Sequence, residues 1–185
     1  MPFWTSPAAE PKRQHRFLVM FSGIPGFQPY IAKAATKPSF EVSETEHKFL
    51  GNTYYYPGSL TWNEVTITLV NTTSPDGQAL LLDALEKSGY LFPPEQREAV
   101  DGAPGTLNKT DSTDSLGYVT IREIDGDGKP LDVWTLRNAF IKSCTFGDLD
   151  YDGDDLLNIE IGMRYDWAQY TPIAHSTLGP FGTGG

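Results

Sequence analysis

Apolar and polar residues alternate with a period of two over much of this chain, which is the signature of half-buried β-strands. The clearest run has Leu157, Ile159, Ile161, Met163, Tyr165 and Trp167 alternating with Asn158, Glu160, Gly162, Arg164 and Asp166. In Leu60 to Asn71, Val65, Ile67 and Leu69 alternate with Glu64, Thr66 and Thr68, and β-branched residues dominate, so one buried and one polar face are expected. Arg16 to Ile24 places Phe17, Val19 and Phe21 on one face and Leu18 and Met20 on the other, which predicts a strand covered on both sides. Ile24-Pro25-Gly26 ends it as a turn. Lys37 to His47 is extended, with Phe40 and Val42 set against Glu41 and Ser43. Tyr118 to Ile124 and Leu131 to Leu136 form a hairpin around Asp125-Gly126-Asp127-Gly128. Ala139 to Phe146 is a further extended run, and Gly147 to Asp155 an acidic turn.

One helix breaks the pattern. Ser74 serves as its N-cap, Pro75 as its first residue, and Asp76 puts negative charge in its first turn. Leu81, Leu82 and Leu85 make an apolar stripe, and Lys87 and Gly89 close the helix. Leu91 to Ser115, rich in Pro, Gly and polar residues, reads as an exposed connection. The fold class is therefore mainly β with one α-helix, two antiparallel sheets forming a sandwich or barrel. An N-terminal arm (1–14) precedes the barrel domain (15–170), and a flexible Gly-Pro tail (171–185) follows it.

His47 to Gly58 is aromatic, holds turn formers and lacks a helical period, which predicts a long loop. Phe49, Leu50, Asn52, Tyr54, Tyr55 and Tyr56 are the candidate subunit contacts. The other reading folds these tyrosines back onto their own domain.

Charge narrows the partners. The 185 residues carry a formal net charge of −10, which excludes phosphate-driven nucleic-acid binding and disfavours an anionic membrane surface. The acidity either keeps a solvated surface soluble or lets a polyanion pass without sticking. No stretch has the ~18 apolar residues of a membrane helix, and the N-terminus has no signal-peptide core. The single cysteine, Cys144, lies in a strand-like run and reads as a small core hydrophobe, consistent with assembly in a reducing cytoplasm.

The chemical motifs are sparse. Asp148, Asp150, Asp152 and Gly153 match the start of a calcium loop, but Ile159 stands where the bidentate glutamate belongs and Glu160 comes one residue late. A calcium-dependent binding module is thus a minor alternative, and Asp-Gly turns between strands account for the same residues. His15, His47 and His175 have no metal spacing. No strained nucleophile turn, phosphate cradle or dinucleotide fingerprint is present. No catalytic residue, metal or cofactor is assigned, and the chain is expected not to be an enzyme.

The order of elements carries a resemblance. The apolar first strand is followed by Lys33-Ala34-Ala35-Thr36-Lys37-Pro38, then Lys48-Phe49 and Pro57-Gly58. Leu60-Thr61-Trp62-Asn63-Glu64-Val65-Thr66-Ile67-Thr68-Leu69-Val70-Asn71 leads into the helix, and the chain closes on Leu136-Arg137-Asn138-Ala139-Phe140-Ile141, an acidic turn and Tyr165-Asp166-Trp167. Over Gln14 to Tyr170 this resembles the tail tube protein family of contractile-tailed bacteriophages; the haemolysin-coregulated protein of type VI secretion is similar in fold. The resemblance implies hexameric rings stacked into a hollow tube, with hairpins from six subunits joined in a continuous inner barrel. It also implies sheath and baseplate proteins as partners and a place in the virion after assembly in the host cytoplasm; with the net charge of −10, six copies to a ring lead to the expectation of an acidic lumen through which DNA passes without adhering. An inner tube of a type VI-like injection machine is the rival reading.

Overall fold

In a computed structural model the described residues are 12–90, 107–152 and 154–173. They form ten strands and two α-helices. The strands are β1 (Phe17–Phe21), β2 (Ala32–Ala35), β3 (Phe40–Phe49), β4 (Asn52–Trp62), β5 (Val65–Val70), β6 (Val119–Ile124), β7 (Pro130–Arg137), β8 (Phe140–Thr145), β9 (Asn158–Arg164) and β10 (Trp167–Pro172). The helices are α1 (Gly77–Lys87) and α2 (Lys109–Leu116), and a single 3₁₀ turn spans Pro29–Ile31.

Two antiparallel four-stranded sheets face each other, ordered β1-β6-β7-β10 and β2-β5-β9-β8. In the first, β1 and β10 flank the β6–β7 hairpin, whose turn is closed by Asp125: its Oδ1 accepts from the backbone N–H of Asp127 (2.9 Å) and Lys129 (2.8 Å). That bonding explains the Asp-Gly pattern there without a metal. In the second sheet, β5 and β9 are the central strands, and Val65, Ile67, Leu69, Ile159, Ile161 and Met163 are all buried. Val19, Phe21, Val119, Ile121 and Leu136 meet them from the first sheet. Mainly β architecture with antiparallel sheets is as the alternation predicts. The sheets form a sandwich, with no closed barrel among the described residues.

Several boundaries differ from expectation. The long alternating run 157–167 is two strands in different sheets: β9 ends at Arg164, and the chain crosses over through Tyr165 and Asp166 to begin β10. Asp166 makes that corner, with its N–H bonding the Arg137 carbonyl (3.0 Å). The alternation persists through the corner because Tyr165 still points into the core. Leu60 to Asn71 is likewise divided at Asn63 and Glu64. β10 continues to Pro172, past the expected start of the tail. β1 buries only the face of Val19 and Phe21; Met20 on the other face is exposed.

Among the described residues there are two α-helices. Asp76, not Ser74, caps α1, accepting from Gln78 N–H at 2.9 Å, so the helix begins at Gly77. Its buried stripe is Gly77, Leu81, Ala84 and the following Ser88, whereas Leu82 is exposed. Lys109 to Ser115, expected in an exposed connection, belongs to α2. Asn108 caps it by accepting from Asp111 N–H at 2.8 Å, and Ser115 and Leu116 are buried against its surroundings. Polar composition hid this helix: its last residue, Leu116, is the only apolar one. Residues 91–106, the rest of that expected connection, lie outside the described residues, as do most of the N-terminal arm and C-terminal tail.

Candidate subunit interface

The segment expected to be a long loop is the two ends and turn of a hairpin. Among the described residues β3 and β4 pair only with each other, from Phe40↔Trp62 at the base to Phe49↔Asn52 at the tip. Ten residues at ~3.3 Å per residue make an arm about 30 Å long. Leu50 and Gly51 form the tip, both at positive φ (48° and 79°), which is the backbone of the tight turns that suit a twisted hairpin. Glycine adopts this conformation freely, whereas leucine pays a steric penalty for it.

A bulge interrupts the ladder. Val42 pairs with Leu60 and Glu44 with Pro57, so Gly58 and Ser59 together oppose Ser43. Ser43 Oγ accepts from Ser59 N–H at 2.9 Å and fixes the irregularity. Because β4 shifts register there, Tyr55 shares a face with Pro57, Leu60, Trp62, Phe40 and Val42. Tyr54 and Tyr56 occupy the opposite face with Phe49. The arm therefore carries apolar surface on both sides.

Trp62 anchors it. Its ring meets Phe40 edge-on (centroids 5.4 Å apart) and Tyr165 of the core at 6.0 Å. Beyond Trp62 every residue from Thr61 back to Phe40 is exposed. Leu50 is 84% exposed, Tyr55 62% and Phe49 59%. Phe49, Leu50, Asn52, Tyr54, Tyr55 and Tyr56 thus lie together on the outer part of one arm, and the tyrosines do not fold back onto their own domain. Phe40, Val42 and Leu60 extend the same surface toward the base, and their alternation was the signal that could have added them.

An isolated two-stranded ribbon is marginal in water, and its outer N–H and C=O groups are open to pairing on both edges. The arm and the acidic segment 147–157 leave the β2-β5-β9-β8 sheet in opposite directions. β4 enters β5 at Val65, paired with Met163, whereas the acidic segment enters β9 at Asn158, paired with Val70.

The remaining candidate chemistry is modest. Among the described residues, no group of three or more His, Cys, Asp or Glu is arranged to hold a metal. Asp150 Oδ1 instead accepts the N–H of Asp152 at 3.1 Å, an ordinary turn bond. Cys144 is half-buried against the core, and burial pushes its thiol above the ordinary value, away from the reactive thiolate. Lys109 Nζ, 2.8 Å from both Asp166 oxygens, together with Asn138 Nδ2 at 2.7 Å, holds the Asp166 carboxyl below its usual range.

No protein-family model matches the chain, and no curated protein matches its sequence. Solved structures match it in fold. A chain of the anti-feeding prophage baseplate, a six-fold symmetrised assembly, gives a TM-score of 0.63 at 18% identity, covering 89% of this chain and 97% of that one. A chain from the sheath-tube complex of an extracellular contractile injection system (PVC), in the extended state, gives 0.61 at 19% identity, covering 91% and 99%. A chain of the anti-feeding prophage tube-terminating cap gives 0.58 at 17%, covering 88% and 92%. The fold is tail-tube-like along nearly its whole length.

Proposed function

We propose that this chain is the structural subunit of the inner tube of a contractile, phage-tail-like particle, with no catalytic role. Six copies form each ring, rings stack into a hollow tube, and sheath and baseplate proteins surround it. The observation that carries this reading is the β3–β4 arm: two open strand edges and apolar side chains on both faces, with no partner for them among the described residues. Pairing these edges with neighbouring copies around a ring removes them, as closure does in a barrel, and head-to-tail contacts that close produce a ring. The likeness in fold to chains of two contractile injection particles supports the same reading.

The cargo follows from charge. Six copies at −10 give on the order of −60 per ring, and a bore of that sign lets DNA slide without adhering. Passage of DNA is therefore the proposed use of the tube, in a tail-associated particle.

Negative-stain microscopy of the purified protein tests the assembly: rings or hollow tubes are expected, and a strictly monomeric particle at high concentration would overturn it. Removing Asn52 to Tyr56 should abolish rings and tubes while the β-rich circular dichroism remains. Tubes that persist would show that the outer arm is not the contact.

A further inference from the structure

A second surface has the opposite sign from the chain as a whole. Between the edge strands β1 and β2 lies a cavity of about 460 Å³. Lys12, Arg13, Arg16, Lys33 and Lys37 surround it, five of the 14 basic side chains in a chain of net charge −10. Its floor is apolar, formed by Phe17, Ala34, Ala35 and Ile121, and among the described residues Glu123 is the only acidic group lining it. Lys12 and Lys37 are engaged with that glutamate. Arg13 and Lys33 also line it, with no carboxylate against them among the described residues.

The acidic segment 148–155 is its chemical counterpart. Asp148, Asp150 and Asp152 alternate with Leu149 and Tyr151, and Asp154 and Asp155 follow. Leu149 is 89% exposed and Tyr151 wholly so, which is unusual for a leucine and a tyrosine on a short connection. Among the described residues none of these aspartates forms an ion pair. A carboxylate, a large apolar side chain and a further carboxylate in sequence fit a pocket with a cationic rim and an apolar floor. Its volume lies in the range of ordinary ligand pockets and takes an aromatic ring.

We propose that this cavity receives the segment Asp148–Asp152 of a second copy of the chain, seating Tyr151 or Leu149 on the apolar floor and the aspartates on Arg13 and Lys33. This rests on the self-assembly reading and adds to it a contact separate from the β3–β4 arm. Within one copy Lys33 Nζ bonds Asn158 Oδ1 (3.3 Å) at the root of the acidic segment, yet among the described residues it pairs with none of the segment's aspartates. The contact is therefore assigned between copies. Opposite charges on the two surfaces also steer copies into one relative orientation as they meet.

Thiol cross-linking between two differently tagged chains tests this, each in a Cys144→Ser background, one with Lys33→Cys and the other with Asp150→Cys. Because each chain has one thiol, only a bond between copies joins the two tags. A heterodimer is expected on oxidation, falling about tenfold at roughly 1 M salt, where the screening length is only about 3 Å. Adding Arg13→Glu to the first chain, or Asp152→Lys to the second, should each lower the yield about tenfold, and adding both should restore it. Lys12 and Lys37 are left intact so that Glu123 keeps its partners. Rings or tubes without the heterodimer would overturn this contact and leave the assembly standing; no heterodimer and no rings would overturn both. A heterodimer indifferent to salt and to charge reversal would also overturn it, as the product of random collision.

Discussion

Glu123 and Asp132 stand directly opposite each other on β6 and β7, two buried carboxylates on the inner face of one sheet. Like charges in that relation repel, and burial raises the cost. Lys12 Nζ lies 2.7 Å from Glu123 Oε2 and also bonds Asp132 Oδ2, Lys37 bonds Glu123 Oε1, and the Tyr170 hydroxyl donates to Asp132 at 3.3 Å. Removing one cation leaves a buried carboxylate short of a partner. Both lysines are half exposed, which screens the loss. Lys12→Met is expected to lower unfolding stability by about 1–3 kcal/mol. In a Glu123→Gln/Asp132→Asn background the same substitution should cost much less by urea titration; an equal cost in both backgrounds would show that the lysine does not act through these carboxylates.

Gly23 and Gly117 let two connections cross at close quarters. Gly23 N–H donates to the Leu116 carbonyl (2.9 Å), and Tyr118 N–H to Ser22 Oγ (2.6 Å). A Cβ on Gly23 would lie 2.5 Å from the Ser115 carbonyl oxygen and 2.6 Å from the Leu116 carbonyl carbon, both backbone atoms that cannot swing aside. Gly23→Ala should therefore destabilise by about 1–3 kcal/mol, the usual cost of overpacking. Thermal unfolding measures it, and a melting temperature equal to that of the wild type would contradict the crossing.

Leu50 holds a left-handed conformation at the exposed tip of the arm, where its side chain stabilises nothing in its own domain. Asn tolerates that backbone better. Leu50→Asn is expected to leave the monomer's melting temperature unchanged or slightly raised while weakening assembly, read as a higher protein concentration needed for rings. Unaltered assembly would show that the tip side chain is not used between copies.

Asp166 ties α2 to the crossover between the sheets through Lys109 and Asn138, and its folded pKa is lowered by those bonds. Its contribution to stability is complete above the unfolded value, near 3.8, and is lost as pH falls through the lower folded value. Asp166→Asn should thus be less stable than the wild type near neutral pH, with the difference shrinking as the pH falls to about 3. Urea midpoints at the two pH values test the sign; a difference that grows on acidification would refute it. The carboxylate is partly exposed, so the effect is modest.

How far the fold was legible depended on where its signal lay. β5, β6 and β9 were readable because each buries alternate side chains, Val65, Ile67 and Leu69 among them, and burial imposes that alternation on composition. The α2 helix was not, since Lys109 to Ser115 is almost wholly polar and its cap, Asn108, looks like any loop asparagine. The tyrosines of the outer arm mark it as a contact segment, but its sequence predicts a loop. Its residues are exposed on both faces, so no one-sided burial marks β3 and β4 as strands; cross-strand pairing does.

The amino-acid sequence alone determined that this chain makes antiparallel sheets, carries net negative charge and displays an aromatic segment, because local alternation, charge and turn residues act over short range. Only the tertiary structure decided that the aromatic segment is a projecting ribbon with open edges. Only it revealed that 157–167 changes sheets at Asp166, and that Lys12, Arg13, Arg16, Lys33 and Lys37 gather around one cavity. Those facts depend on which strands pair and which edges meet, and non-local pairing leaves no local mark on the residues that it brings together.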